Sequence, residues 1–433
     1  MIGKAPTLTV LASGTEMGTL RQEQGRLSFC YRATWLTSPK NYPLSHSMPL
    51  QEAPYPDEII APFLWGLLPD NDLVLREWGS RFGTSHRNVF SLLSYVGEEC
   101  AGAVQFASEE RATVLTKGAQ ATTIDWLSEE ELRNRIGELL QNPAAGRRSS
   151  DEGQFSLAGA QKKTALYFDA STSRWGVPRG HTPTTHIIKP VINGFEGHVE
   201  NEHFCLTLAS NLDQISAKSE VINLGGHKVL SVTRFDRRTI NGRVERIHQE
   251  DFCQSAATFP HLKYQSDEGP GPREIVEILR ESSTKSAVDV CRFIDALILN
   301  WFLCGTDAHA KNYGLLIAEN DYRRLAPLYD IASALPYPRI MNPHKVRLAM
   351  KVGREYKIKK IGRRQWEETE AQLRVKKGSV IRQIEEMGEK MPVALEQTAN
   401  QLQEKGISHS IVDQLVSLIS KNVETCLDRL VME

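Results

Sequence analysis

Residues 287–303 carry Val288, Cys291, Ile294, Leu297, Ile298, Trp301 and Phe302 at helical spacings. So much apolar content predicts a largely buried helix. The chain continues straight from it into Gly305-Thr-Asp-Ala-His-Ala-Lys-Asn312, so one rigid element delivers a polar loop. The chain before this helix reads as β-rich and the chain after it as helical. Residues 7–50 look strand-rich, with partial alternation from Arg26 to Leu36, and residues 60–95 look helical, with a turn at Leu68-Pro-Asp-Asn-Asp72. Residues 96–106 read as a Gly-punctuated strand, and 143–153 as a linker or surface loop. Strands are expected at 164–168, 185–189 and 228–235, with a helix at 200–212. Further helices are expected at 363–374, 378–404 and 408–431. The pattern predicts an α+β chain in two lobes. Its domains would be an α+β subdomain over 1–140, a β-rich core over 150–250 and a helical lobe over 251–433.

Composition narrows the chemistry. The 433 residues carry a net charge of -1, so no global field draws the chain to nucleic acid or membrane. Seven cysteines, an odd number with no C-x-x-C pair, argue against a disulfide framework and a zinc site, and predict buried thiols. The first residues lack the apolar core of a signal peptide, and no apolar run suggests a span; the expectation is a cytoplasmic protein without a membrane.

Asp307 and Asn312 stand in D-x-x-x-x-N, the spacing of base and metal-binding amide in protein-kinase catalytic loops. An Asp can orient an acceptor hydroxyl and take its proton. An Asn across the turn offers a neutral oxygen to a cation without repelling phosphates. Asp330, after an apolar segment and a hairpin, could join Asn312 on one Mg²⁺, although alone it reads equally as a helix-capping residue. Lys189 ends a strand where its ammonium could neutralise phosphate, and Glu202 on the next helix could orient it; alone, Lys189 reads as a solvated strand end. Ser156-Leu-Ala-Gly-Ala-Gln-Lys-Lys-Thr164 would let backbone N–H groups approach phosphates, although by itself it is an ordinary tight turn. The order of these parts along the chain is that of a protein kinase.

Several segments together resemble the HipA family of kinase toxins nearly end to end. They are Leu67-Leu-Pro-Asp-Asn71, Ser156–Ala165, Thr182-Pro-Thr-Thr-His-Ile-Ile-Lys189, Arg234-Phe-Asp-Arg-Arg238, Gln249-Glu-Asp-Phe-Cys253 and Thr306–Asn312. The resemblance implies that Asp307 is the catalytic base, that Asn312 and Asp330 bind Mg²⁺, and that Lys189 contacts ATP phosphates. It implies that Phe235, Gln249, His309 and Tyr329 line the nucleotide pocket, with Ala158, Gly159 and Ala160 in the phosphate-binding loop. Ser156 matches the family's autophosphorylated serine. One departure from eukaryotic-type kinases is that Gly305-Thr306 stand where His-Arg would precede the base, so no arginine there can clamp a phosphorylated activation loop.

The resemblance also implies partners: a helix-turn-helix antitoxin dimer, operator DNA reached mainly through it, and an aminoacyl-tRNA synthetase such as glutamyl-tRNA synthetase as protein substrate. The segment 191–200 is expected to govern substrate choice. Residues 345–364 gather nine basic residues against Glu355, which makes Lys345, Arg347, Lys351, Lys359 and Lys360 candidates for DNA backbone contact. A solvated face explains the same charges. Arg147-Arg-Ser-Ser150 reads as a solvated linker, with a second phosphosite as the other reading. Two further functions fit these residues, a non-catalytic co-repressor and a small-molecule kinase.

Overall fold

The computed structural model describes residues 6–116, 123–146, 156, 158–159, 161–179, 182–338, 346–407 and 409–431. They divide into two compact units. The first comprises residues up to Pro190, Asn223–His261 and Leu315–Arg323; the second comprises Val191–Ile222, Leu262–Gly314 and Arg324 onward.

The first unit opens with a four-stranded antiparallel sheet. Thr7–Ala12 is flanked by Val104–Ala107 on one side and Thr15–Glu23 on the other, with Arg26–Tyr31 outermost. Strand structure stops at Tyr31, short of the alternation expected to reach Leu36. Ala33–Leu36 forms one helical turn instead, which buries Trp35 and lets its indole N–H donate to the Tyr42 carbonyl at 3.1 Å. Three helices follow, Asp57–Gly66, Asp72–Phe82 and Val89–Val96. Asn71 starts the second by accepting from the Leu73 and Val74 N–H groups, and Asn88 caps the third through the Ser91 N–H. These bonds occupy donors that a helix start leaves open.

A second antiparallel sheet runs Thr123–Trp126, Arg174–Arg179, Thr164–Asp169, His186–Pro190 and His227–Thr233. Ser219–Leu224, in which the chain returns from the second unit, is the next strand. A two-stranded hairpin, Arg237–Ile240 with Arg243–Arg246, turns at Asn241-Gly242, both with positive φ. Such a turn matches the twist of the strands it joins.

The second unit is helical, built from His198–Asn211, Pro272–Ser282, Ser286–Leu303, Arg363–Leu373, Ser379–Glu404 and Ser410–Val431. Helix Ser286–Leu303 is buried from Phe293 onward on nearly every face. Trp301 meets Trp366 with ring centroids 5.4 Å apart, and Asn422 donates to the Phe302 carbonyl at 2.8 Å. Among the described residues no helix is long and apolar enough to cross a membrane. Cys100, Cys205, Cys253, Cys304 and Cys426 are buried, whereas Cys30 is half-buried and Cys291 exposed, against the expectation for those two.

Candidate phosphoryl-transfer site

In the second unit, helix Ser286–Leu303 ends at Cys304, whose left-handed backbone (φ 54°) returns its N–H to the Trp301 carbonyl, and Gly305 N–H follows to Asn300. A Cβ on Gly305 would lie 2.2 Å from the Asn300 Oδ1, so a side chain there would have to displace the buried Asn300 amide. The turn projects Asp307 outward, its side chain 71% exposed. The Asp307 main-chain carbonyl accepts from the His309 N–H at 2.8 Å and from Asn312 Nδ2 at 2.7 Å. The second bond commits the Asn312 nitrogen to the loop and presents its oxygen on the opposite side. His309 and Asn312 are buried, and the Tyr329 hydroxyl donates to the Lys311 carbonyl at 2.8 Å.

Asp330 is half-buried and has a positive φ of 53°. Asp tolerates this conformation better than most residues, but it still needs support from its surroundings. Support comes from both sides in sequence. Leu328 N–H donates to the Ile215 carbonyl and the Leu328 carbonyl accepts from Ala217 N–H, both at 2.8 Å, while Ser333 and Asn201 exchange two hydrogen bonds. A neutral amide oxygen and a carboxylate are the hard oxygen donors Mg²⁺ takes, so Asn312 and Asp330 fit that ion. Glu202, next to Asn201, is buried on its helix. In segment 191–200, Phe195 packs edge-on against Tyr337 at 5.2 Å, and the Tyr337 hydroxyl donates to the Glu196 carbonyl.

In the first unit, Ser156 is fully buried. Its N–H donates to the Glu99 carbonyl at 2.8 Å and its hydroxyl to the Leu67 carbonyl at 2.7 Å. Gly159, at φ 105°, pairs with Pro69 and accepts from Asp70 N–H, while Lys163 Nζ donates to the Ala158 carbonyl at 2.7 Å. Leu67-Leu-Pro-Asp-Asn71 is thus both the seat of this loop and the start of a helix. Ala160 lies outside the described residues, as do Arg147–Ser150. Lys189 is 4% exposed on its strand, and Phe235 and Gln249 are half-buried.

A charge cluster that the sequence did not reveal supports Phe235. Glu99 accepts from Arg234, Arg237 and Arg246, and from the Thr184 hydroxyl and N–H. Arg234 also grips Asp236 through two bonds of 2.7 and 3.0 Å. Gly102 donates to Asp236 at 2.7 Å and leaves no room for a Cβ beside Gln249. Arg234-Phe-Asp-Arg is therefore a structural knot that fixes a half-buried aromatic ring. Burial pushes the Glu99 carboxyl up, but Arg246, Arg237 and Arg234 outweigh burial and hold it well below the carboxylate range. Glu99→Ala is expected to cost about 3–5 kcal/mol, because it strands buried guanidinium charge. A depressed pKa contributes stability in full above the ordinary carboxylate value and loses it as pH falls. Denaturation midpoints of wild type and variant should therefore converge in acid. A gap that stays constant from neutral pH into the acid range would overturn this account.

The basic segment forms the hairpin Arg347–Val352 with Glu355–Lys357, and its lysines Lys359 and Lys360 are exposed. Arg347 and Lys351 lie over the Tyr356 ring at 5.8 and 5.2 Å. Arg363 and Arg364 pair with Glu367 and Glu368, and Lys360 approaches Glu355, so part of the charge is neutralised. Lys345 lies outside the described residues.

Comparison with known proteins bears on the family and the fold. Residues 155–395 match the model of the HipA-like C-terminal domain, and residues 8–107 that of the HipA N-terminal domain. The chain is 33% identical over 363 residues to "Putative kinase Y4mE" of Sinorhizobium fredii, covering 83% of this chain and 84% of that protein. It is 29% identical over 327 residues to the serine/threonine-protein kinase toxin HipA of Shewanella oneidensis, covering 71% and 70%. A solved structure of Shewanella oneidensis HipA, from a complex with HipB and operator DNA, matches with a TM-score of 0.78 at 23% identity, over 98% of this chain and 96% of that one. The α+β, two-lobed kinase-like fold expected from the sequence is borne out.

Proposed function

The chain belongs to the HipA family, and from that membership we propose that it is an ATP- and Mg²⁺-dependent serine/threonine-protein kinase toxin. The observation that carries the proposal is the loop in which an exposed Asp307 carboxylate sits beside an Asn312 whose amide nitrogen is pinned. Asp307 takes the proton of the acceptor hydroxyl as the new O–P bond forms. The bond from the γ-phosphorus to the bridging oxygen breaks, and ADP leaves. Mg²⁺, held by Asn312 and Asp330, would neutralise charge on the phosphates. Lys189 contacts those phosphates and Glu202 has the lysine-orienting role. Phe235, Gln249, His309 and Tyr329 hold the nucleoside, with Ala158, Gly159 and Ala160 as the phosphate-binding loop.

The protein acceptor is an aminoacyl-tRNA synthetase such as glutamyl-tRNA synthetase, and its modification would arrest growth and lead to persistence. Ser156 is the site of autophosphorylation. A HipB-like helix-turn-helix dimer is the partner, through which the chain co-represses its operon; Lys345, Arg347, Lys351, Lys359 and Lys360 are its own candidates for DNA backbone contact. The solved relative, assembled with HipB and operator DNA, supports that part of the reading.

The test is incubation with γ-labelled ATP and Mg²⁺, alone and with candidate synthetases, followed by mapping of the label. Label on Ser156 and on one synthetase is the expected result. Absence of label from protein that is unphosphorylated at Ser156 and binds ATP would replace this reading with the co-repressor.

A further inference from the structure

The exposed Asp307 carboxylate has one hydrogen-bonding side chain among the described residues, and it is not one of the expected site residues. The Tyr264 hydroxyl donates to Asp307 Oδ1 at 2.5 Å. His309 Nε2 is farther, 3.9 Å from the same oxygen. An aspartate that is 71% exposed would otherwise turn freely about its side-chain bonds, and a base must point at its proton.

Tyr264 is itself well held. Its ring meets the buried His309 edge-on, with centroids 5.0 Å apart at 84°, and Lys263 Nζ lies 5.7 Å from the ring centroid. Its carbonyl accepts from Asp267 N–H and Gly269 N–H, closing a tight turn. The preceding carbonyl, of Lys263, accepts from Ala310 N–H inside the catalytic loop at 3.3 Å. The following side chain, Gln265, accepts from Lys351 N–H at 2.7 Å. The turn is thus fastened to the loop on one side and to the basic hairpin on the other.

We propose that Tyr264 is a positioning residue for the base: its hydroxyl fixes Oδ1 of Asp307 so that Oδ2 faces the acceptor hydroxyl. The inference rests on the reading of Asp307 as base. A hydroxyl tethered on a rigid ring costs little entropy to place, whereas a misplaced base costs rate without weakening nucleotide binding. Tyr264→Phe keeps the ring against His309 and removes only the oxygen.

Steady-state phosphoryl transfer by the full chain, with ATP affinity measured separately, tests this for Tyr264→Phe, Asp307→Asn and the double variant. The expected result is a kcat for Tyr264→Phe lower by roughly 10- to 100-fold with KM for ATP unchanged. No further loss is expected from Tyr264→Phe in the Asp307→Asn background, since the two residues act as one unit. Wild-type kcat for Tyr264→Phe beside an inactive Asp307→Asn would overturn the role of Tyr264 and leave the base intact. A raised kcat would also overturn it, making the hydroxyl an obstacle to the acceptor. Full activity of Asp307→Asn would instead remove the base reading itself.

Discussion

Asp307→Asn should lower phosphoryl transfer by about 10²- to 10⁴-fold, the range that a positioned general base contributes. The substitution is close to isosteric, and the structure indicates what it leaves intact. The bonds from His309 N–H and Asn312 Nδ2 go to the main-chain carbonyl of residue 307, not to its side chain. The Tyr264 hydroxyl donates to Oδ1, which an amide oxygen replaces. An exposed side chain contributes little to packing, so the melting temperature should hold. ATP affinity should hold as well, since the nucleotide contacts proposed above belong to other residues. The decisive measurement is single-turnover transfer at saturating ATP. A rate within tenfold of wild type would mean that proton removal is not limiting or that another group performs it.

Much of the fold was legible because its signals are local. Helix Ser286–Leu303 announces itself by spacing, and Ser379–Glu404 and Ser410–Val431 lie close to their expected limits. The hairpin at Asn241-Gly242 escaped notice because its strands, RRTI and RVER, are charged and show no apolar alternation. The turn pair alone would have given it away. Strand Val104–Ala107 occupies only the end of the segment read as a strand, since Gly97–Ala103 is given over to the polar turn that carries Glu98 and Glu99.

The candidate site was legible where chemistry follows a fixed spacing, as from Asp307 to Asn312. It was hidden where partners meet across long stretches of chain. Tyr264 reaches Asp307 over 43 positions and Arg246 reaches Glu99 over 147. In the sequence, Tyr264 is only a residue ahead of the Gly269-Pro-Gly-Pro272 punctuation, and Glu99 one acid among many. A signal for the cluster did exist: three arginines and an aspartate in Arg234-Phe-Asp-Arg-Arg238 are too many charges for a segment that closes a buried strand, unless they are paired. No spacing rule names the partner.

Phosphorylation of Ser156 should abolish ATP binding, lowering affinity by at least about 100-fold, because a buried charge without partners costs several kcal/mol. The reasoning starts from what Ser156 touches. Its hydroxyl donates to the Leu67 carbonyl, and the ester oxygen of a phosphoserine has no proton to donate. The serine has no exposed surface, so three phosphate oxygens and about -1.5 to -2 charges would have to enter a full space beside a carbonyl. The arginines of the nearby cluster are already committed to Glu99 and Asp236. The cheapest response is for the loop to leave its seat on Leu67 and Pro69. Gly159 leaves with it, and the backbone N–H groups proposed to cradle ATP phosphates are lost. Ser156→Ala provides the control: it loses one hydrogen bond but stays buried, so it should bind ATP nearly as wild type does. The measurement is ATP titration of the stoichiometrically phosphorylated protein, the unmodified protein and Ser156→Ala. Equal affinity of the phosphorylated and unmodified forms would show that the loop accommodates the phosphate in place, and that silencing, if it occurs, comes from elsewhere.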